Sequence, residues 1–427
     1  VSHPLPPDEP AGRPDDPAGP ARATVEAVVR REHGRVLAGL VRRFGDIDLA
    51  EDALGEALVT ALERWPADGV PPNPAGWLTT TAARKALDRL RRESRRGDKH
   101  AEAAMLHDPT PPDPTGPVTD DRLRLIFTCC HPALAEENRV ALTLRLLGGL
   151  TVAEIAHAFL VPETTMAQRI TRAKQKIRNA HIPYAVPAAE DVPRRLTTVL
   201  AVLYLVFNEG YLASGPDADP VREDLCAEAI RLTRQVREVV APLGPQPEVD
   251  GLLALMLLIE ARRPARLRDG VLVTLDEQDR SRWDRALVEE GHTLVRGCLA
   301  VGRPGPYQLQ AAVNAVHTDA PAAADTDWSQ VVALYDHLMR LAPSPVVALN
   351  RAVAVAELDG PEVALAQVDR LGLTSYHAWH ATRADLLRRL GRVPDALAAY
   401  DEALRTAGNS AERTWLERRR GAVSLGT

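Results

Sequence analysis

The chain has 427 residues, 45 % of them apolar, 26 % charged and 4 % aromatic, with a formal net charge of −6. That length allows about three domains at roughly 150 residues each, with cores built from Leu, Ala and Val rather than aromatics. Four cysteines exclude a disulfide framework, and no apolar run reaches the length of a membrane-spanning helix. Strong helix formers dominate and β-branched runs are short, which predicts an all-α fold. The charge is unevenly placed. Residues 1–182 carry 25 basic and 25 acidic side chains and include all four lysines, whereas 183–427 carry 27 basic and 33 acidic. Any contact with nucleic acid is therefore expected in the first part.

Residues 1–23 read as a disordered tail. Seven of the first 20 are proline, with neither a basic start nor an apolar core, so this is no signal peptide and the cytoplasm is the expected compartment. Residues 24–97 form the first helical unit. In DIDLAEDALGEALVTALERW, Leu49, Ala53, Leu54, Ala57, Leu58, Ala61, Leu62 and Trp65 recur at helical spacing. Asp48, Glu51, Asp52 and Glu56 are left on the outer face. Six acidic and no basic residues fall between Asp46 and Glu63, so this face fits a basic partner, or is simply solvated. After the loop PADGVPPNP, Asn73 caps a helix with Pro74 in its first position. Eight Lys/Arg against three Asp/Glu lie between Ala82 and His100. Asn73, Trp77, Thr80, Arg84, Lys85, Arg91 and Arg92 are the nucleic-acid candidates here, Trp77 as a stacking or wedge residue or as core.

Residues 98–118 contain five prolines between His107 and Pro117 and read as a flexible linker. A second small unit covers 119–182, with a helix-turn-helix at 151–180. Thr151 and Glu154 make a capping box, Ile155, Ala156 and Phe159 the apolar face, and Pro162 suits the first turn of the next helix. Met166, Ile170, Ala173 and Ile177 form that helix's inward stripe. Thr164, Thr165, Gln168, Arg169, Arg172, Lys174 and Lys176 point outward, and five basic residues against one acidic lie between Glu163 and Ile182. Hydrogen-bonding groups near the N-terminus and cations along the helix suit a major groove; the same spacing also fits a solvated helix of an ordinary bundle.

A helical extension follows at 187–290, then helical repeats at 291–427. ALNRAVAVAELDGPEVALAQVDRL and AWHATRADLLRRLGRVPDALAAYDEAL place Gly360 and Gly391 31 residues apart, each between two helical stretches. These units resemble tetratricopeptide repeats, with a shorter period. Cys129-Cys130-His131 lacks a CxxC pair and reads as two small buried side chains rather than zinc ligands. Glu209 has no partner acid, and a turn or capping role suits it better than catalysis. No metal site, cofactor or catalytic constellation is expected, and the chain does not read as an enzyme.

The two basic helices, in this order and separated by a Pro-rich linker, resemble the sigma-70 family, and within it the compact extracytoplasmic-function type that keeps only regions 2 and 4. DLAEDALGEALVTALERW and PAGWLTTTAARKALDRLRR resemble region 2; LTVAEIAHAFLVPETTMAQRITRAKQKIR resembles region 4. FTCCHPAL (127–134), YLVFNEGY (204–211), CAEAIRLTRQV (226–236) and the terminal repeats resemble a subgroup with a tetratricopeptide-like C-terminal extension. The resemblance implies that Asp48, Glu51, Asp52 and Glu56 dock on the β′ clamp helices of core RNA polymerase, with the β flap as a further contact. It implies that the 67–73 loop and the helix from Trp77 to Arg92 melt and hold the −10 element. The helix from Thr164 to Lys176 would read the −35 element, and the linker would thread toward the RNA exit path. Ala167 and Gln168 stand where a Lys-Ser pair is frequent, so no promoter sequence follows. The extension is expected to regulate in cis, with a regulatory protein on its repeats as partner and no membrane contact. The alternatives are a helix-turn-helix regulator with a ligand- or protein-binding repeat domain, which would not need core polymerase, and a repeat scaffold.

Overall fold

Asp46 Oδ1 accepts the Leu49 amide at 3.0 Å and Asn73 Oδ1 accepts the Gly76 amide at 2.9 Å. These two caps satisfy free amides at the starts of the second and third helices. The computed structural model describes residues 19–94, 121–158, 161–188, 190–211, 222–241, 244–268, 271–408 and 410–425. The tail up to residue 18, the whole of the expected linker and Phe159 lie outside the described residues.

The chain divides into two compact units, 1–121 and 122–427. In the first, α1 (Gly19–Phe44), α2 (Ile47–Asp68) and α3 (Pro74–Ser94) pack pairwise. Leu37, Leu40, Leu54 and Leu78 fill the centre, and Ala50, Ala57, Ala61, Ala82 and Ala86 let the helices approach closely. The buried stripe of α2 is Ile47, Ala50, Ala53, Leu54, Ala57, Ala61 and Trp65. Leu49, Leu58 and Leu62, expected with it, are half-buried, because two neighbouring helices cover a narrower arc than the apolar spacing offers.

The second unit begins with α4 (Asp121–Cys129), α5 (Glu136–Leu146), α6 (Val152–Ala158) and α7 (Glu163–Asn179). It continues through α8 (Val192–Tyr211), α9 (Glu223–Val240) and α10 (Pro247–Glu260). Nine of the ten residues from Val249 to Leu258 in α10, all but Asp250, are buried; such an all-round apolar helix must be enclosed. It is packed by α9, α11 (Arg285–Val301) and α12 (Pro306–Asp319). Between α10 and α11 a short antiparallel pair joins Leu267 to Leu272 and Arg268 to Val271. Gly210, in the FNEGY stretch, lets α8 meet α9: a Cβ there would stand 2.7 Å from the Cys226 amide nitrogen.

The C-terminal helices are α13 (Trp328–Leu341), α14 (Pro345–Leu358), α15 (Pro361–Leu371), α16 (His377–Arg389), α17 (Val393–Thr406) and α18 (Ser410–Ser424). Each packs on the next in sequence, as expected of stacked repeats. Ala364, Leu365, Ala396 and Tyr400 share one core. The architecture is all-α, with two small helical domains of the expected kind and a large helical C-terminal part.

The repeat glycines occupy the inter-helix turns with backbone that L side chains avoid, Gly360 at φ 95° and Gly391 at φ 71°. Neither would bring a Cβ within 4 Å of another atom, so substitution costs only backbone strain. Gly391→Ala should destabilise by about 1 kcal/mol and Gly360→Ala by about 2 kcal/mol. Gly297→Ala, on the exposed side of α11 with open space around it, should instead stabilise by about 1 kcal/mol. Urea unfolding of the three variants checks the signs, and a uniform shift would contradict this account.

Candidate nucleic-acid and polymerase interface

On α2, Asp48 and Glu51 are half-buried while Asp52 and Glu56 are exposed. The exposed two already have partners on α3. Arg89 Nη1 donates to Asp52 Oδ2 at 2.6 Å, and Lys85 Nζ lies 3.6 Å from Glu56 Oε2. The candidate acidic face and the basic helix therefore meet along one seam, and Lys85 faces the carboxylates rather than standing clear of them. Arg89 was not singled out by sequence, although it lies one turn beyond Lys85. Exposed pairs of this kind add little stability, so incoming charges can displace them at small cost.

The rest of α3 is more open. Asn73 is exposed while its carboxamide oxygen caps the helix. The Thr80 hydroxyl donates to the Gly76 carbonyl at 2.9 Å. Arg84 is exposed and makes no ion pair among the described residues. Arg91 lies 3.6 Å from Asp88, and Arg92 Nε donates to the Asp88 carbonyl at 3.2 Å. Trp77 is half-buried, edge-on to the buried Trp65 with ring centroids 5.2 Å apart, so it is both a core contact and a partly accessible ring.

In the second unit the capping box forms as expected. Glu154 N donates to Thr151 Oγ1 at 3.1 Å and Thr151 N to Glu154 Oε2 at 2.7 Å. Pro162 stands at the N-cap of α7, one position before its first turn. Met166, Ile170, Ala173 and Ile177 are buried. Opposite them Thr164, Gln168, Arg172 and Lys176 are exposed and Thr165 is half-buried. Arg169 is diverted: its Nη1 lies 3.0 Å from Glu137 Oε2 on α5, tying α7 to its neighbour. Arg172 and Lys176 make no ion pair among the described residues and keep their charge for a partner.

FTCCHPAL is where α4 and α5 meet the extension. Arg195 of α8 is buried and its Nη1 reaches the Phe127 carbonyl at 3.4 Å. Thr128 Oγ1 donates to the Pro183 carbonyl at 3.1 Å. Arg139 donates to the carbonyls of Leu134 and Pro132 and, through Nη1, to Thr198 Oγ1 on α8 at 3.1 Å. Arg122 Nη1 contacts both oxygens of Glu228 on α9, at 2.9 and 3.0 Å, and Arg231 holds the same carboxylate. These residues carried no local pattern by which sequence could have found them. Cys129 and Cys130 are fully buried, and no cluster of metal-ligating side chains occurs among the described residues. Glu209 is buried in the last turn of α8. No helix of the described residues is long and apolar enough to cross a membrane.

Sigma-70 region 2 matches residues 28–96 and Sigma-70, region 4 matches 124–177, and a family of unknown function, DUF6596, matches 195–299. An uncharacterized protein of Rhizobium meliloti (strain 1021), R00370, is 42 % identical over 398 residues, 90 % of this chain and 92 % of its own length. The ECF RNA polymerase sigma factor SigK of Mycobacterium ulcerans (strain Agy99) is 30 % identical over 121 residues, 26 % of this chain and 60 % of that protein. No solved structure matches. The chain belongs to the sigma-70 family. It is a sigma factor of the extracytoplasmic-function type, a DNA-binding factor of transcription initiation that carries a long helical extension. A region 2 match sets it apart from a conventional helix-turn-helix regulator.

Burial pushes the Cys130 thiol from 9.0 up to about 12 and raises Cys129 well above its ordinary value, with the neighbouring Cys130 adding to the rise. Both thiols should resist iodoacetamide in the native protein at pH 8 and react in urea. A raised folded pKa contributes stability that is complete below the unfolded thiol value and lost as pH climbs from about 9 toward 12. Unfolding midpoints measured across that range check the sign.

Proposed function

We propose that this sigma factor binds core RNA polymerase and directs it to promoters, reading the −10 element through region 2 and the −35 element through region 4, with the extension regulating activity in cis. In region 2, Asp48, Glu51, Asp52 and Glu56 meet a basic surface of the polymerase. Asn73, Trp77, Thr80, Arg84, Lys85, Arg91 and Arg92 hold the opened −10 strand. In region 4, Thr164, Thr165 and Gln168 reach base edges, and Arg172 and Lys176 hold phosphates. Arg169 acts as much on Glu137 as on DNA. The observation that carries the reading is the division of α7 into a buried apolar stripe and an exposed face on which Arg172 and Lys176 make no ion pair among the described residues.

The extension is proposed to brace region 4 rather than mask it. Its contacts fall on α4, α5 and the FTCCHPAL turn, while Thr164, Gln168, Arg172 and Lys176 stay exposed. A regulatory protein on the repeats would act through this brace.

Transcription reconstituted with core polymerase on genomic fragments tests the function: new start sites should appear only with this protein, and none would refute it. On a duplex that it recognises, Arg172→Ala and Lys176→Ala should each weaken binding on all sequences and lower the slope of log affinity against log salt by about 1. A chain ending near Ala185 should lose promoter activity, because α4 and α5 lose their cover. Undiminished activity of that chain would remove the brace.

A further inference from the structure

A cavity lies against the repeat helices. Glu277, on the segment after the short antiparallel pair, lies 3.2 Å from Arg418 and 3.4 Å from Arg419 of α18. Leu272 to Arg280 thus forms one wall of this cavity, whose other walls are α13, α14, α16 and α18. Its volume is about 930 Å³, within the range of about 300–1,000 Å³ usual for small-molecule sites. Trp328, Tyr335 and Trp415 line it, with Val353, a large apolar side chain left 40 % exposed.

The cations in the lining are of two kinds. Arg389 is held by Glu357 at 2.6 Å, Arg419 by Glu277, and His377 Nε2 lies 3.1 Å from Glu412. Arg280 has no carboxylate partner among the described residues. Its Nη1 donates to the carbonyls of His317 and Ala320, each at 2.6 Å, and the guanidinium stands 4.7 Å over the Trp283 ring. Asp276 and Asp325 are exposed on flanking segments; Asp325 acts on Arg280 through space without touching it. Behind the lining, Arg262 donates to the neutral Asn314 at 2.8 Å, and its buried Nε has no hydrogen-bond partner among the described residues. Burial, then Arg262 and Arg280, depress His317 to about 4. Arg280, half-buried at one end of the cavity and touched by carbonyls but by no carboxylate among the described residues, can still take up an anion.

We propose that this cavity binds a small amphipathic anion, a carboxylate-bearing organic molecule whose acid group meets Arg280 and whose aromatic or aliphatic body lies among Trp328, Tyr335 and Trp415. The site stands independently of the promoter reading. It is tested on the full-length protein with two fluorescent probes that share their rings and differ in charge, anilinonaphthalene sulfonate and the neutral phenylnaphthylamine. Both should bind saturably at one site. Arg280→Gln should weaken the sulfonate about tenfold and leave the neutral probe unchanged, and Arg280→Lys should restore most of the loss. Val353→Trp or Ala381→Trp, which fill the cavity, should weaken both probes in proteins of unchanged melting temperature. Binding that never saturates, or that survives both filling variants, would overturn the site. An equal effect of Arg280→Gln on the two probes would overturn the anion assignment.

Discussion

Region 4 depends on the burial of α4. Leu123, Leu125, Ile126, Phe127, Thr128 and Cys129 are all buried within this nine-residue helix, so no side of its C-terminal half faces water. A helix buried all round must be covered on opposite sides. Part of its surroundings comes from the extension: Arg195 of α8 reaches the Phe127 carbonyl and Glu228 of α9 accepts from Arg122. Polar groups enclosed with it need partners, and Arg122–Glu228–Arg231, Arg139–Thr198 and Arg195–Phe127 supply them. Taking one member from the partly buried Arg122–Glu228 pair strands its partner, at a cost of about 2 kcal/mol. Residues 122–427 therefore form one compact unit in which α7 and the extension share a foundation.

This arrangement reconciles an acidic extension with DNA binding. The net charge of −6 resides in 183–427, yet the extension meets region 4 away from the exposed residues of α7. Arg172 and Lys176 thus meet no carboxylate among the described residues. In region 2, by contrast, Asp52 and Glu56 hold Arg89 and Lys85. A basic polymerase surface that takes over those carboxylates would release both cations toward DNA, a cheap exchange because the pairs are solvent-exposed.

Features encoded locally were legible before the fold was known. The Thr151–Glu154 capping box, the Asn73 cap, the inward stripe of α7 and the turn glycines at 360 and 391 each rest on residues a few positions apart, and each forms as read. Features that depend on helix register across the fold were not legible. Asp52–Arg89 spans 37 residues and Arg122–Glu228 spans 106; periodicity carries no information about such distances. The same limit explains Arg169, which spacing turned outward and Glu137 captures. The solvated reading of Asp48 and Glu51 missed that the bundle half-covers them. FTCCHPAL read as buried cysteines, and burial is what the fold shows, but the motif's place beneath the extension emerged only from tertiary contacts.

The most direct measurement is amide hydrogen exchange on the full-length chain, wild type against Glu228→Ala. If the extension holds region 4 in place, exchange through α4 and α5 quickens in the variant while α16 and α17 keep their protection. Equal protection of α4 and α5 in the two proteins would contradict it.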